Sequence, residues 1–476
     1  MSFALKRRLY EVSPGWLQRC IGLIPPSLVA GRHYRDTMRR GPALDRLTRE
    51  EMRTYQEERL GRMLTFVCEQ VPAYQALRST VGRLRPFEAL KAFPFLEKTR
   101  LQEEFERYLP RDLDRIPHWE CTTGGTSGNQ LSFLLDDASA AIEMAFIHRL
   151  WARVGYTPRC RKATFRGSSF PNLREGVYWK PNPIYNELMF SPFHMGTRTL
   201  GLYIEELRRF RPEFLHGYPS AIQLLADHAL REKVPLDGLR LQAVLLASEG
   251  MAPGQREVLE QAFQCRTFSW YGHSERVILG GECEQTEAYH QFPDYGVLEI
   301  VDESGHVLEE DGARGELVGT GLLNYSLPLV RYRTEDWAVR RHFACPCGRA
   351  FDRFDQVEGR WRQEYVIGRT GAKISPAALN MHGTLLKNVL RYQYFQDAPG
   401  VMELRIMVAP TFSGRDADSM ARALMEKVGD EIQVKVRVVP DIALTSRGKL
   451  RRLIQEIPSD SIGERSPRTL SPTTPA

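Results

Sequence analysis

The glycine-rich stretch at residues 121–130 has the composition of a phosphate-binding loop. It contains three glycines and four hydroxyl residues in ten positions, and the largely apolar residues 131–135 follow it. Glycines allow backbone N–H groups to approach a phosphate closely, and side-chain hydroxyls add further donors. No Gly-Lys-Ser/Thr ends the stretch, so it is not the lysine-bearing loop of the common ATPases. From composition alone, a phosphate loop and an ordinary flexible turn both remain open.

Three cysteines and one histidine form a second candidate site, with the ligand types of a metal centre. Six residues separate Cys283 from His290, and Cys345 and Cys347 lie in the sequence Cys-Pro-Cys-Gly. The proline and the glycine favour a tight turn that could direct both sulfurs at one point. Four such ligands suit a closed structural zinc site, which leaves no position for a water nucleophile. His342 could replace His290, and unligated cysteines with a surface histidine are the alternative.

Six motifs, in order along residues 121–449, resemble those of adenylate-forming enzymes: acyl-CoA synthetases, peptide-synthetase adenylation domains and luciferases. The glycine-rich stretch resembles their Thr-Ser-Gly-Thr-Thr-Gly phosphate loop. The other five are Ala247-Ser248-Glu249-Gly250 at the adenine pocket, Tyr271-Gly272-His273-Ser274-Glu275, Tyr332-Arg333-Thr334-Glu335-Asp336, the interdomain Gly359-Arg360, and Leu444-Thr445-Ser446-Arg447-Gly448-Lys449. The closer resemblance is to the phenylacetate–CoA ligase branch, and residues 359–382 look like the capsular-polysaccharide CapK-type proteins.

The resemblance implies an α/β fold with a large N-terminal adenylate-forming domain of mixed sheets and a small α+β C-terminal lid. It also implies an ATP-dependent ligase that joins a small carboxylic acid to the α-phosphate of ATP, then transfers the acyl group to a thiol, amine or alcohol. Such transfers depend on positioning and on charge stabilisation. The acceptor that the resemblance implies is CoA or the amine or hydroxyl of a saccharide precursor, and the expected role is in cell-surface polysaccharide biosynthesis. The alternatives are a non-enzymatic nucleotide- or partner-binding protein and an acyl-CoA ligase unrelated to polysaccharide.

The resemblance also gives each motif residue an expected role. Lys449 is expected to contact the α-phosphate and the substrate carboxylate, and Ser274 the α-phosphate. Glu275 is expected to hold magnesium, Asp336 to accept both ribose hydroxyls, and Tyr271 to lie against the adenine. The remaining expected nucleotide-binding residues are Thr122, Thr123, Gly124, Gly125, Thr126, Ser127 and Gly128 around the phosphates, with Ser248, Glu249, Gly250, Gly272 and Arg360. Without the resemblance, the simpler interpretations are a packing tyrosine, a surface acid and a solvated lysine.

Three positions depart from the superfamily pattern. Residues 129–130 are Asn-Gln where many relatives have Pro-Lys, so a lysine contact to phosphate is missing. Glu335 replaces the usual glycine before Asp336, and residues 361–363 replace an acidic hinge. The CapK-like branch shares some of these changes. They therefore indicate a modified second half-reaction and leave the use of CoA open. Phenylacetate–CoA-ligase-like proteins often carry cysteines in the region of Cys283 to Cys347, which supports the structural zinc site.

Local patterns predict the elements that position these motifs. Thr48 and Glu51 form a capping-box pattern at the start of a helix. Residues 243–247, 297–301 and 315–320 have the apolar character of strands. A strand at 404–408, a helix at 417–428 and a strand at 434–439 predict a small C-terminal strand–helix–strand unit. The predicted organisation is a basic segment at 1–46, a large ATP- and substrate-binding domain at 47–358, a lid at 359–458 and a disordered tail at 459–476.

Composition and charge limit where the protein acts. The chain has 476 residues, 42% hydrophobic and 26% charged, and contains no run of about 18 apolar residues. Its eight cysteines are too sparse for a disulfide scaffold, so a cytoplasmic location is expected. Residues 1–40 hold eight basic and two acidic residues, which accounts for the whole net charge of +6. That segment could rest on the inner face of an anionic membrane or dock on the large domain as a solvated helix. Nucleic acid is not an expected partner.

Overall fold

The structure, a computed structural model, has a mixed α/β architecture built on one large sheet and a smaller C-terminal sheet. The residues that it describes are residue 10 and residues 13–122, 132–167, 177–196, 198–252, 254–341, 344–358, 365–376, 378–379, 381, 383–386, 388–442 and 453–457.

The α-helices of the described residues run from the N-terminal segment to the C-terminal domain. They are α1 (Gly15–Gly22), α2 (Pro26–Val29), α3 (Gly31–Leu44), α4 (Arg49–Gln70), α5 (Arg78–Val81), α6 (Pro86–Leu90), α7 (Lys98–Glu103), α8 (Ser139–Ala152), α9 (Leu200–Phe210), α10 (Pro219–Arg231), α11 (Gln255–Phe263) and α12 (Gly414–Val428).

The β-strands are mostly short. They are β1 (His118–Thr122), β2 (Ser132–Asp136), β3 (Lys162–Phe165), β4 (Trp179–Asn182), β5 (Glu187–Phe190), β6 (Phe214–Gly217), β7 (Ala243–Leu246), β8 (Thr267–Gly272), β9 (Leu279–Glu282), β10 (Tyr289–Gln291), β11 (Gly296–Val301), β12 (Arg314–Gly321), β13 (Tyr332–Arg341), β14 (Arg353–Glu358), β15 (Val366–Ile367), β16 (Lys373–Ile374), β17 (Val389–Ala398), β18 (Val401–Val408), β19 (Gln433–Val438) and β20 (Leu453–Gln455).

Twelve strands form the large sheet in the order β11-β12-β13-β14-β10-β9-β8-β7-β6-β3-β5-β4. Strands β5, β3, β6, β7 and β8 are parallel, and the pairing becomes antiparallel from β8 to β9. Every residue of β7 is buried, as its apolar run predicts. In open α/β sheets ligands bind beyond the carboxyl ends of parallel strands, so the ends of β6, β7 and β8 mark the place for a site.

Helix α4 covers the antiparallel half of this sheet. The predicted capping box is confirmed: the Glu51 backbone N–H donates to Thr48 Oγ1 (3.3 Å), and the Thr48 N–H donates to the Glu51 carboxylate (2.8 Å). The face of α4 that points into the protein carries Leu60, Met63 and Val67, which are fully buried. They belong to an apolar cluster that includes residues of β11, β12 and β13. This packing fixes the end of the sheet that carries the Asp336 motif.

The C-terminal residues form a four-stranded sheet in the order β19-β18-β17-β20, with α12 connecting the parallel strands β18 and β19. The predicted strand–helix–strand unit is therefore confirmed. Helix α12 begins with a second capping box, between Ser413 and Asp416. Apolar residues of this sheet share one continuous core with those beneath β3, β6 and β7. The proposed domain boundary at residue 359 lies outside the described residues.

The N-terminal segment packs on the large domain through α3. The hydroxyl of Tyr34 on α3 makes a buried 2.7 Å hydrogen bond with Nδ1 of His148 on α8. Gly41 allows close approach there, because a Cβ at this position would lie 2.4 Å from Arg149 Nε. Helix α3, one part of the basic segment, is therefore docked on the large domain. In the part of the chain that the structure describes, no helix is long and apolar enough to span a membrane.

Candidate active site and metal centre

The ends of three adjacent parallel strands bring several motifs together. Beyond β6, Ser220 at the start of α10 donates its backbone N–H and its hydroxyl to the Glu249 carboxylate, at 3.1 and 3.0 Å. Glu249 follows the end of β7, beside Ser248, whose hydroxyl accepts a 3.0 Å hydrogen bond from Arg166. Burial raises the pKa of Glu249 despite the hydrogen bonds from Ser220 and Ser375. Ser375 belongs to the C-terminal part of the chain, so this carboxyl group contacts both parts.

Tyr271 and Asp336 lie in direct contact although they are 65 residues apart in sequence. The Tyr271 hydroxyl at the end of β8 donates a 2.9 Å hydrogen bond to Asp336 Oδ2 on β13. Burial and the Asp336 charge raise the pKa of Tyr271 well above its usual value, so the phenol stays protonated as the donor. One carboxylate oxygen of Asp336 is thus engaged by Tyr271. A ribose that used both oxygens would have to share or displace this hydrogen bond.

A β-bulge in β13 directs the Asp336 side chain. The register between β12 and β13 shifts between the Val318–Arg333 pair and the Glu316–Trp337 pair, which leaves extra residues on β13. Glu335, the residue before Asp336, has φ of +62°, in the left-handed region that favours glycine. Its backbone N–H donates to Glu316 Oε1 (3.0 Å). The glycine expected from the resemblance therefore has a physical reason, and this chain places a glutamate in the same strained conformation.

Glu275 is a buried carboxylate three residues beyond the end of β8. It accepts a 3.0 Å hydrogen bond from the Tyr332 hydroxyl, and His273 Nδ1 lies 3.3 Å from its other oxygen. Burial alone would raise its pKa, but the neighbouring His273 and the charge of Lys98 outweigh burial and lower the pKa to about 2. Glu275 is therefore ionised across the physiological range, which suits a ligand for a hard cation. Ser274 beside it is exposed and open to a ligand.

Lys98 is a residue of this site that the sequence analysis missed. It is the first residue of α7 and is only 6% exposed. The preceding Leu96 joins the start of β13 through backbone hydrogen bonds to Arg331 and Arg333 of 3.0 Å each, which brings α7 to the site. Its positive charge acts on the Glu275 carboxyl. No sequence signal marks a single lysine as buried, since burial depends on where the chain places the start of this helix.

Several predicted site residues fall on parts of the chain that the structure leaves undescribed. Thr122 ends β1, and β2, which pairs with it, begins at Ser132. The predicted residues outside the described ranges are Thr123, Gly124, Gly125, Thr126, Ser127, Gly128, Arg360 and Lys449. Their expected roles remain predictions, as do those of Ser248, Gly250 and Gly272, which lie beyond or at the ends of β7 and β8.

The four predicted metal ligands converge. Cys283 follows β9, His290 lies on β10, and Cys345 and Cys347 lie in the connection between β13 and β14. Their ligand atoms all lie within 4.8 Å of one another. The Cys283 and Cys345 sulfurs are 3.4 Å apart, as are Cys347 Sγ and His290 Nε2. A tetrahedral zinc ion with bonds of about 2.0–2.3 Å holds its ligand atoms at similar separations. The donor set and its geometry therefore fit a closed zinc site.

A tight turn aims two of these sulfurs, as the sequence predicts. The Gly348 backbone N–H donates to the Cys345 carbonyl oxygen (2.9 Å), and Gly348 has φ of +79°. Burial and the charges of Arg153, Arg353 and Arg349 lower the pKa of His290 to about 3, so its imidazole is neutral, the form that coordinates a metal. His342, the alternative ligand, lies outside the described residues.

Comparisons with known proteins agree with this architecture. Residues 366–456 match the family described as the CapK C-terminal domain. Over 450 residues the chain is 27% identical to the phenylacetate-coenzyme A ligase of Thermus thermophilus, covering 87% of this chain and 98% of that protein. It is 23% identical over 249 residues to protein CapK of Staphylococcus aureus, covering 52% of this chain and 53% of that protein.

Solved structures show the same fold. A 2-hydroxyisobutyryl-CoA ligase in complex with 2-HIB-AMP and CoA has a TM-score of 0.55 at 19% identity, over 87% of this chain and 92% of that one. The same ligase in the postadenylation state with R3-HIB-AMP has a TM-score of 0.53 at 20% identity, over 87% and 91% of the two chains. At this identity the likeness establishes the fold, and the predicted adenylate-forming fold class is confirmed.

Proposed function

Because this chain is a member of the adenylate-forming superfamily, in its phenylacetate–CoA-ligase-like branch with a CapK-type C-terminal domain, we propose that it is a carboxylate-activating ligase. It joins a carboxylic acid to the α-phosphate of ATP, with release of pyrophosphate, and transfers the acyl group of the resulting adenylate to an acceptor. Its relatives named as CoA ligases support the first half-reaction and also favour a thiol as the acceptor.

The observation that carries this proposal is the convergence of the Tyr271, Glu275 and Asp336 motifs at the carboxyl ends of the parallel strands. The 2.9 Å contact between Tyr271 and Asp336 forms one side of the site. The ionised Glu275, four residues along the chain from Tyr271, forms another. Binding of ATP requires an aromatic ring for the adenine, a carboxylate for the ribose hydroxyls and an anionic ligand for the cation at the phosphates.

Within this site we assign roles by the superfamily pattern. Tyr271 lies along the adenine, and Asp336 accepts the ribose hydroxyls. Ser274 and Lys449 contact the α-phosphate, and Lys449 stabilises the charge that develops as the carboxylate attacks. The loop from Thr122 to Gly128 holds the β- and γ-phosphates, while Ser248, Glu249, Gly250, Gly272 and Arg360 complete the pocket and the hinge. The buried charge of Lys98 adds positive potential beside the Glu275 carboxylate.

Magnesium fits the Glu275 site. Its carboxylate is ionised and buried, and the Tyr332 hydroxyl fixes one oxygen at 3.0 Å, which leaves the orientation of the group defined. When bound, the ion would offset the negative charge of the phosphates. The protein's own contribution is to hold this carboxylate in its charged form through the neighbouring His273 and the Lys98 charge.

We propose that zinc at Cys283, His290, Cys345 and Cys347 is structural. Four protein ligands complete a tetrahedral shell and leave no position for substrate. The metal would join the β9–β10 pair to the connection between β13 and β14. It would thereby stabilise the antiparallel half of the sheet, on which Asp336 lies.

CoA is the acceptor that we propose first, and the reaction then takes place in the cytoplasm, where both ATP and CoA are available. A saccharide amine or hydroxyl in cell-surface polysaccharide biosynthesis is the second candidate, because the C-terminal residues match the CapK domain. The two acceptors give chemically different products, a thioester in the first case and an amide or ester in the second. Rotation of the lid about residues 359–360 between the two half-reactions accompanies either outcome.

ATP–pyrophosphate exchange with a broad panel of carboxylic acids tests the first half-reaction without any knowledge of the acceptor. At least one acid should support exchange that depends on magnesium. Addition of CoA to the active combination should then release AMP and form a thioester. If no acid supports exchange while the protein still binds ATP, the chain is a nucleotide-binding protein and the ligase proposal is wrong.

A further inference from the structure

The N-terminal segment carries a concentrated apolar surface, which we define by Trp16, Leu23, Ile24 and Leu28. Their exposed fractions are 62%, 85%, 44% and 55%. In the part of the chain that the structure describes, nine large hydrophobic residues are exposed, and these four lie within 13 consecutive residues. Isolated exposed apolar residues are ordinary, but a cluster of this kind marks an interaction surface.

Helix geometry places Trp16 and Leu23 on the same side of α1. Trp16 and Leu23 are seven residues apart, which is close to two helical turns, so their side chains point the same way. Leu23 is the C-cap of α1 and has helical backbone angles, and Leu28 lies on the next helix, α2. Gln18, on the other side, is buried and donates hydrogen bonds to the carbonyl oxygens of Tyr10 (2.9 Å) and Ser13 (3.1 Å). One side of α1 is therefore buried and bonded to the residues that precede the helix, and the other side faces outward.

Several arginines lie close to these apolar residues in the sequence, and Arg35 donates a 3.2 Å hydrogen bond to the carbonyl oxygen of Ser27 on α2. Arg19 lies on α1 between Trp16 and Leu23 and is exposed. The exposed arginines on α3 are Arg32, Arg35, Arg39 and Arg40. Residues 1–40 carry eight basic and two acidic residues. A symmetric contact between two copies would bring these like charges together, whereas an anionic lipid surface complements them.

The apolar surface is attached firmly to the catalytic part of the chain. Helix α3 is held to α8 by the buried 2.7 Å hydrogen bond between Tyr34 and His148. The Tyr10 hydroxyl donates to Asn182 Oδ1 (3.2 Å), on β4 of the large sheet. A surface fixed in this way would orient the large domain on whatever it binds, which a free tail would not do.

We propose that Trp16, Leu23, Ile24 and Leu28, with the neighbouring arginines, form a docking surface for an anionic lipid bilayer. Tryptophan and long aliphatic side chains enter the headgroup region, and arginines contact the lipid phosphates, as in interfacial amphipathic helices. The chain then binds the membrane peripherally, without spanning it. This proposal is independent of the ligase activity, because the surface lies on α1 and α2 rather than at the strand ends that carry the nucleotide motifs.

Cosedimentation of the full-length protein with lipid vesicles tests the proposal. Vesicles of phosphatidylcholine mixed with phosphatidylglycerol should bind the protein, and vesicles of phosphatidylcholine alone should bind it at least about tenfold less. Binding should weaken when the salt concentration rises from about 50 to about 500 mM, because salt screens the arginines. The double variant Trp16→Ser, Leu23→Ser should lose at least about tenfold in partitioning, since both side chains would leave water on binding.

A matched control and a second variant make the result specific. Leu230→Ser with Val438→Ser removes two exposed apolar residues far along the chain, at 39% and 54% exposure, and should bind vesicles like the wild type. Arg19→Gln with Arg32→Gln should weaken binding to the anionic vesicles without changing the melting temperature. Equal binding of all proteins, or no binding to anionic vesicles, would overturn the proposal. Sedimentation velocity that shows a dimer abolished by Trp16→Ser, Leu23→Ser would also overturn it, in favour of a contact between two copies.

Discussion

Loss of one cysteine from the metal centre should release zinc and destabilise the chain. Cys347 lies in the turn before β14, with its sulfur 3.4 Å from His290 Nε2. Cys347→Ser removes a thiolate ligand and replaces it with a hydroxyl, which is a poor zinc ligand, while it changes the side-chain volume very little. The remaining three ligand atoms keep their places, so the variant isolates the contribution of one bond to the metal.

The magnitude follows from the number of ligands. Structural zinc sites contribute about 10–16 kcal/mol of apparent binding free energy in small peptides at pH 7. If the four ligands contribute equally, the loss of Cys347 weakens binding by about 3 kcal/mol, which is more than a hundredfold in Kd. For a chain of this length, a destabilisation of about 3 kcal/mol lowers the melting temperature by roughly 3–6 °C.

Zinc content and melting temperature check the prediction together. Wild-type protein dialysed against a weak chelator should retain about one zinc per chain by elemental analysis, and Cys347→Ser should retain roughly a fifth of that or less. Cys265→Ser is the control, because Cys265 is also partly buried but lies outside the cluster. Wild-type protein that holds no zinc, or a Cys347→Ser protein that retains it, would refute the assignment of these ligands.

Three further predictions concern the nucleotide site. Glu335→Gly should raise the melting temperature relative to Glu335→Ala, by the equivalent of about 1 kcal/mol, because only glycine adopts φ of +62° without strain, and equal stabilities in a thermal scan would contradict the bulge geometry. The pKa of Glu275, about 2, lies below its usual 4.5, so the ionised carboxylate contributes stability that is complete above pH 4.5 and is lost as the pH falls toward 2. Glu275→Gln should therefore melt lower than the wild type at pH 7, with a difference that shrinks on acidification below pH 4.5, and a difference independent of pH would count against this account. Lys449→Ala should cut the rate of pyrophosphate exchange by about 100-fold and leave ATP affinity nearly unchanged. Asp336→Ala should mainly weaken ATP binding. An unchanged exchange rate in Lys449→Ala would show that Lys449 is a solvated lysine with no catalytic role.

Most secondary-structure elements near the site could be predicted from the sequence because their signals are local. The capping box of α4 depends only on Thr48 and Glu51, and a short run of apolar residues predicts β7, which the structure buries. The order of the twelve strands cannot be predicted from such local signals. Strand β10 pairs with β14, more than 60 residues away, and nothing in either short strand identifies its partner. Such pairings are decided by the packing of the whole sheet.

The residues of the candidate site can be predicted from the sequence where they belong to one of the six motifs. The resemblance predicts Tyr271 and Asp336 as site residues, and the structure adds that their side chains are in contact. Lys98 could not be found in this way, since a lysine at the start of a short helix looks solvated until the fold buries it. Glu335 is the opposite case. The sequence shows that a glutamate replaces the usual glycine, but only the structure, with its left-handed backbone at this position, shows that the replacement strains the chain.

The metal centre also bears on how the N-terminal segment is held. Asp45, directly after α3, has its carboxylate oxygens 3.7 Å from Arg149, 3.9 Å from Arg153 and 3.5 Å from Arg349. Burial, together with the neighbouring positive charge of Arg349, lowers the pKa of Arg153 to about 10. A zinc ion bound by three thiolates and a neutral imidazole has a net charge of −1 and would offset part of this positive charge. Loss of the metal would therefore act twice, by releasing the connection before β14 and by leaving the arginines that contact Asp45 with less negative charge around them. We therefore expect the backbone amides at the end of α3 to exchange hydrogen faster in Cys347→Ser than in the wild type, and at the wild-type rate in the control Cys265→Ser. An unchanged exchange rate in Cys347→Ser would show that the contacts between Asp45 and the arginines are stable without the metal.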